Sequence, residues 1–390
     1  MLDERLLMPP FRAGGPDRDV VLGAWVRLGR NLEDALFPNR ASITEAAETR
    51  SRILAAVAKT AGDRIELLPE RLDQAETLLV AERGWSERGA SVDPGRGLAV
   101  LDGGATVLAI NDVDHLRIVS YASGNDGEAA LERARAVDEV LDAELSWAAT
   151  PDLGYLTARL DEGGSALRVS ALVFVPGIIA AGVLERVVRG LVSSGIEPRV
   201  SAWGRDAETD PARDEAAAPG SASAQPDSAA SASAEGAADG QTSPYVELSC
   251  RAGRGIGEDD FLAGFHATLA GLIEGERKTR DRLLASRRAE LEDAAWRAAA
   301  VLGGARLLPE AEARRLIADL RAGTAYGVAP PVRGGSSDPY AEIDRAREII
   351  GTGHVRVLGR GERGGPSGDV RLDAVRAALV REVLPRYDIG

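Results

Sequence analysis

At 390 residues, with 44% apolar and 28% charged residues, the chain is long enough for two packed domains and ordinary in composition for a globular protein. Its net charge of −14 argues against a general binder of nucleic acid or anionic membranes, since either needs a basic surface. One cysteine (Cys250) permits no internal disulfide, and three histidines far apart in sequence leave almost no material for a His/Cys zinc site. No apolar run approaches the ~20 residues of a membrane span, and the N-terminus has acidic residues and Pro9-Pro10 in place of a signal segment, so a cytoplasmic protein is expected.

In chain order, an irregular start leads to the apolar run Val20-Val21-Leu22, and a helix is expected over 42–60 with Ser42 as N-cap. Short β-prone runs follow at 97–102, 105–110 and 116–121. The first two read as a hairpin joined through Asp102-Gly103-Gly104. Leu131, Ala134, Val137, Leu141 and Leu145 recur near 3.6-residue spacing and predict a helix over 129–145. Residues 166–175 form a strand stopped by Pro176-Gly177. A helix then presents Leu184, Val187, Val188 and Leu191 on one face, with Gly195 as its C-cap. Strands are expected at 196–203 and 245–250.

Between those two strands, residues 205–243 consist almost wholly of Ala, Ser, Gly, Pro, Asp and Glu. Such a segment cannot bury enough apolar surface to offset its ordering entropy, so a disordered insert is expected inside a domain. From residue 257 the pattern turns helical, with helices at 257–302, 309–322, 338–350 and 369–384. The fold class is therefore α+β: an antiparallel-rich sheet flanked by helices over 18–256, then a helical C-terminal domain over 257–390.

Three arginine-bearing strings lie near strand ends. They are Val26-Arg27-Leu28-Gly29-Arg30-Asn31, Asn111-Asp112-Val113-Asp114-His115-Leu116-Arg117, and Gly154-Tyr155-Leu156-Thr157 followed by Gly164-Ser165-Ala166-Leu167-Arg168. A lone strand-edge arginine is most often a surface charge. In this order, with these neighbours, the strings resemble the signatures of ATP:guanidino phosphotransferases, the phosphagen kinases. Within that superfamily Glu276-Arg277-Lys278-Thr279-Arg280, Leu291-Glu292-Asp293-Ala294-Ala295-Trp296-Arg297-Ala298 and Ala377-Ala378-Leu379-Val380-Arg381 resemble the bacterial protein arginine kinases of the McsB type. The similarity runs from about residue 18 to 384, the insert excepted.

The resemblance implies ATP and Mg²⁺ as cofactors, with Arg27, Arg117, Arg168, Ser170 and Arg199 as nucleotide contacts. Planar guanidinium forks suit phosphate oxygens, and phosphoryl transfer rests largely on such positioning and charge. It also implies a phosphoarginine pocket, for which Leu372-Asp373-Ala374-Val375-Arg376-Ala377 keeps Asp373 and Arg376; an ordinary amphipathic helix is the competing reading. Its partners would be a protein substrate or phosphoarginine protein, a zinc-binding activator, a Clp-type degradation machine and a second copy of the chain.

The pattern departs from the family at its chemistry. Val113 stands where the family has the Glu that meets the guanidinium, Trp25 replaces an arginine, and Arg159-Leu160-Asp161-Glu162 replaces a Cys-Pro-Thr-Asn stretch. Asp112 and Glu208 are the carboxylates left as candidate catalytic acids. Two readings stay open: a kinase-like binding protein with reduced or lost transfer, and an active protein arginine kinase serving protein quality control. Gly253-Arg254-Gly255-Ile256-Gly257 lacks the spacing and the βαβ setting of a dinucleotide loop, and no P-loop exists.

Overall fold

The computed structural model describes residues 14–61, 65–67, 72–86, 95–200, 243–252, 255–334, 338–359 and 369–389. Residues 205–242 of the expected insert, Glu208 among them, lie outside the described residues.

An eight-stranded sheet runs in the order β2-β3-β4-β5-β1-β8-β10-β9. Its strands are β1 (Val21–Arg30), β2 (Ile65–Leu67), β3 (Gly97–Leu101), β4 (Thr106–Ile110), β5 (Leu116–Ser123), β8 (Leu167–Phe174), β9 (Glu197–Val200) and β10 (Tyr245–Arg251). All paired neighbours are antiparallel. A separate pair, β6 (Ala149–Thr150) and β7 (Gly154–Tyr155), flanks β8 in sequence. The β3–β4 hairpin turns through Asp102–Gly104, where Asp102, Gly103 and Gly104 all take positive φ. This matches the reading of Asp-Gly-Gly as a turn.

Strand β1 is central because both of its faces can be buried. Along its ten residues only Trp25 and Arg27 stay half-buried. Side chains alternate, so Ala24, Val26 and Leu28 point to one face and Trp25, Arg27 and Gly29 to the other. The first face joins Ile118 and Val169 and is covered by α1 (Ile43–Ala61), α3 (Gly127–Asp142) and the first half of α6 (Glu258–Gly304). There Ile53, Leu131, Phe265 and Leu269 close a continuous apolar core.

The second face is only partly covered. Val80 of α2 (Gln74–Glu82), Trp85 and Ala318 of α7 (Glu310–Tyr326) pack over Val100, Val107, Val119, Leu172 and Phe174. A third core joins the second half of α6 to α7, α8 (Ala341–Ile349) and α10 (Asp369–Val383), around Leu302, Ile317, Leu320, Ile343 and Val380. Two short helices, α4 (Pro176–Ala180) and α5 (Leu184–Ser193), follow β8, and α9 (Thr352–Leu358) precedes α10.

Helix α6 serves both cores. Leu262, Phe265, Leu269 and Ile273 enter the sheet core and Ala298, Ala299 and Leu302 the helical one. Between them Arg287 departs from helical geometry (φ −133, ψ 28).

A charged seam joins the sheet to the helical half. Asp344 is fully buried and accepts from Arg321 Nε at 2.7 Å and Arg18 Nη2 at 2.8 Å. Arg321 also donates to the Arg18 carbonyl at 2.9 Å and lies over the Phe174 ring at 4.6 Å. Glu276 accepts from the Gly177 and Ile178 amides, each at 2.8 Å, and so caps α4 with a side chain from α6. Arg280 links Glu276 to Asp19. Beyond α2, Glu82 accepts from the Gly353 and His354 amides, and Arg83 pairs with Glu348 and meets His354 Nδ1 at 3.1 Å.

Candidate functional site

Register places the arginines of the second face in rows. Residues directly opposite across antiparallel strands share a face, about 5 Å apart. Arg27 on β1 stands opposite Arg168 on β8, which stands opposite Arg251 on β10. Gly29, two residues along β1, faces Arg117 on β5. The neighbouring row reads Tyr121, Trp25, Ser170, Ser249 and Glu197. The fold thus gathers Arg27, Arg117, Arg168 and Ser170 on one face, and Arg199 lies at its edge on β9.

Like charges facing across strands destabilise a sheet unless counter-charges intervene. Carboxylates do intervene. Glu162 accepts from Arg27 Nη2 at 2.6 Å and Arg159 Nη1 at 3.4 Å, and stands 3.8 Å from Arg168 Nη1. Glu197 accepts from Arg168 Nη2 at 3.0 Å and Arg251 Nη2 at 2.6 Å. Arg199, largely exposed, is 3.7 Å from Glu197, and Arg251 also pairs with Asp161. Ser170 is buried, with Oγ 2.9 Å from Ser249 Oγ. Trp25 tilts against Tyr121 at 6.2 Å between ring centroids. An indole there adds apolar surface beside the arginines where the family resemblance would place another cation.

The 111–117 string forms the connection between β4 and β5. Asn111 turns the chain with φ 52, a left-handed value that Asn tolerates, and its Nδ2 ties the loop to the Ala46 and Gly95 carbonyls. Asp114 Oδ1 accepts from Asn31 Nδ2 and the Ala158 amide, both at 2.8 Å. His115 Nδ1 accepts from the Leu32 amide at 3.0 Å, so Nε2 carries the proton given to the Leu36 carbonyl at 2.8 Å. Burial pushes the His115 pKa down. A neutral imidazole fits that tautomer, and His115 is a brace.

The remaining members of the string include the candidate acid Asp112 and Val113. Asp112 is buried and accepts from Arg117 Nη1 at 2.9 Å and Ser86 Oγ at 3.1 Å. Val113, 8% exposed, lies between Asp112 and Asp114 with an aliphatic side chain that can neither accept a proton nor pair with a cation. Of the two candidate acids only Asp112 lies within the described residues.

The other candidate pair sits apart, in the helical core. Arg376 is buried and donates to the Ile350 carbonyl at 2.8 Å, the Leu308 carbonyl at 2.9 Å and Asp373 Oδ1 at 2.7 Å. Glu310 stands 3.5 Å from its Nη2. These contacts fasten α10 to the turns before α7 and α9.

Sequence reasoning missed Glu197 and Arg251 as members of the site and took Glu162 only as a departure from a motif. Their signal was positional: Arg251 and Glu197 begin or end strands at registers that no local pattern reveals.

Comparison with known proteins shows which family the chain is similar to. The family model described as "ATP:guanido phosphotransferase, C-terminal catalytic domain" matches residues 53–210, a span holding the 111–117 string, Glu162 and Arg168. A protein-arginine kinase of Symbiobacterium thermophilum is 28% identical over 324 residues, 82% of each chain. The chain is thus similar to the ATP:guanido phosphotransferases. A protein-arginine kinase of Bacillus cereus strain AH187 is 25% identical over 389 residues, covering 97% of this chain and 96% of that protein. The crystal structure of lombricine kinase shares the fold, with a TM-score of 0.50 at 17% identity over 70% of either chain. The α+β class expected from sequence is the fold shared with lombricine kinase, and the sheet carries Arg27, Arg117 and Arg168 on its second, partly covered face.

Proposed function

We propose that this chain is a kinase-like member of the superfamily that binds ATP with Mg²⁺ and transfers phosphoryl groups to protein arginine only weakly or not at all. One observation carries the proposal. At the position of the family's guanidinium-facing acid stands buried Val113, and the carboxylates on either side are engaged, Asp112 by Arg117 and Ser86, Asp114 by Asn31 and the Ala158 amide.

Recruiting Asp112 as a base would strip a buried arginine of its counter-ion. Breaking a buried ion pair costs about 3–5 kcal/mol. That is comparable to the whole ~10²–10⁴-fold benefit of a positioned base. The exchange gains little, which argues against rescue by the neighbouring acid.

Nucleotide binding is better supported than transfer. Arg27, Arg117 and Arg168 share a face and offer planar forks that suit phosphate oxygens. When bound, Mg-ATP supplies the transferable phosphoryl group; the arginines orient and neutralise its phosphates, with Ser170 and Arg199 beside them. Mg²⁺ belongs to the proposal as the partner of the nucleotide's phosphates. The helical half from residue 257 is the proposed phosphoarginine-binding module. Asp373 and Arg376 support that role less than they support packing, because Arg376 already serves two backbone carbonyls.

By similarity to relatives named protein-arginine kinases, the proposed target is a protein. A zinc-binding activator, a Clp-type machine, a second copy of the chain and a cytoplasmic setting belong to the same proposal. No helix among the described residues is long and apolar enough to cross a membrane.

The test combines calorimetry with mass spectrometry. Protein, Mg²⁺ and ATP mixed with an arginine-rich acceptor should yield little or no phosphoarginine, while calorimetry detects nucleotide binding. Val113→Glu should raise transfer by roughly 10² or more, as expected for restoring a general base. Robust phosphoarginine from the unaltered chain would sink the reduced-activity reading in favour of the active kinase.

A further inference from the structure

Three guanidinium groups converge on one carboxylate oxygen. Arg27 Nη2 lies 2.6 Å, Arg159 Nη1 3.4 Å and Arg168 Nη1 3.8 Å from Glu162 Oε1. Glu162 takes Arg27 and Arg159 and shares Arg168 with Glu197, so one carboxylate answers guanidinium groups from three directions. A carboxylate is thus held where the donors would suit a more highly charged anion.

The segment that delivers Glu162 is lightly held. It is a 3-10 turn, Leu160–Glu162, at the tip of an excursion closed at its neck by Tyr155 and Gly164, whose amides and carbonyls exchange bonds of 2.8 and 3.2 Å. At that neck Gly154 has φ 70 and a Cβ there would fall 2.5 Å from the Gly164 carbonyl oxygen, so the loop is pinned at its base by glycine. Beyond the neck, the tip is steadied by the Thr157 Oγ1 bond to the Arg159 carbonyl and by Ala158 on Asp114. Leu160 is 85% exposed while Glu162, two residues on, is 7% exposed. The turn presents nothing apolar to the core and is held to the sheet by charge: Asp161 pairs with Arg251 on β10, and Glu162 reaches Arg27 and Arg168.

We infer that Glu162 is a built-in competitor for the arginine site: its carboxylate plugs the row, and a polyphosphate binds by displacing it and swinging out the 160–162 turn. This inference rests on the reading that the row accepts a polyanion, and adds to it a self-inhibiting contact. The same carboxylate also keeps Arg27 and Arg168 apart when no anion is present, which explains why a site of facing arginines can exist in a stable sheet.

The experiment titrates inorganic tripolyphosphate and ATP into the full chain by calorimetry, comparing it with Glu162→Gln. Removing the competing charge-assisted bonds should tighten tripolyphosphate binding by roughly ten- to a hundredfold. Glu312→Gln, the same change of charge on an exposed part of α7, should leave it unchanged. Hydrogen exchange on the unaltered chain gives a readout that needs no variant: the Glu162 amide, bonded to the Arg159 carbonyl at 3.0 Å, should exchange faster when tripolyphosphate binds. Equal affinities with a protected turn would overturn the plug and leave the nucleotide reading standing. Tighter tripolyphosphate binding without any ATP binding would keep the plug and sink the nucleotide reading. If neither protein bound tripolyphosphate, both would fall.

Discussion

Two regions of this molecule hold arginines against carboxylates, and they do so in opposite ways. At the seam, Asp344 is sealed from solvent, answers Arg18 and Arg321 together, and Arg321 is further fixed by a backbone carbonyl and the Phe174 ring. On the open face, Glu162 and Glu197 reach the arginine row from a turn and an edge strand, and Arg159, Arg199 and Arg251 keep contact with water. The seam charges are enclosed on every side, so an ion pair there acts as a fastener. The face pairs are open only at their rim, at Arg159, Arg199, Arg251 and Glu197, and the proposed exchange for another anion would begin there. Ion pairing by itself therefore says little about role; enclosure does.

The largest expected effect tests the seam. Asp344→Ala leaves Arg321 and Arg18 buried without their shared counter-ion and should cost about 3–5 kcal/mol in denaturant unfolding. A loss under about 1 kcal/mol would mean the seam is as exchangeable as the face.

A pH series probes the edge of the seam next. His354 Nδ1 faces Arg83 Nη2 at 3.1 Å, a contact that needs a neutral imidazole. Burial, then the nearby Arg83 and Arg345 charges, bring its pKa down to about 3 from 6.5. The folded chain thus binds this proton more weakly than the unfolded one. The stabilisation is intact above about pH 6.5 and is lost as pH falls toward 3, at up to ~1.4 kcal/mol per pH unit. Glu82 on the same seam is shifted up by burial and works in the opposite sense above its ordinary 4.5, so the comparison must be between variants. His354→Gln should flatten the acid slope relative to the unaltered chain; parallel slopes would refute the assignment.

The smallest effect belongs to the face. Glu162→Gln should lower stability by only about 1–2 kcal/mol, and tripolyphosphate should restore it, since a ligand of the folded state shifts unfolding by mass action. A larger loss that the anion cannot restore would place Glu162 with the seam fasteners.

Much of the fold was legible because it was written locally. The Asp-Gly-Gly turn and the Pro176 stop act within a few residues, and the structure has them at the expected places. Helix α2 escaped notice because Leu78-Leu79-Val80-Ala81 is a contiguous apolar run without helical period. Its Asp73–Glu76 capping box was the signal available. Helix α9 is only seven residues long and is held from outside, by Glu82.

The candidate site was half legible. Asn111, Asp114 and His115 keep the string's scaffold, which ordered motifs reveal. The partners of Arg27 and Arg168 were hidden, because Glu162 lies 135 residues from Arg27 and meets it only through the sheet. Arg376 shows the converse: a residue picked from a motif lies in a helical core, bound to carbonyls no motif mentions.

Helix α6 carries a mechanical consequence. Its 47 residues make a rod of about 70 Å, rooted in the sheet core at Phe265 and in the helical core at Leu302. Glu276 and Arg280, near its middle, grip α4 and Asp19, and the departure from helical geometry at Arg287 comes just after that grip. The rod is clamped on the sheet side of its joint and loaded on the other. Bending at Arg287 is therefore opposed by the seam, since Arg321 and Asp344 fasten α7 and α8 to Arg18 and Ala318 packs on the sheet.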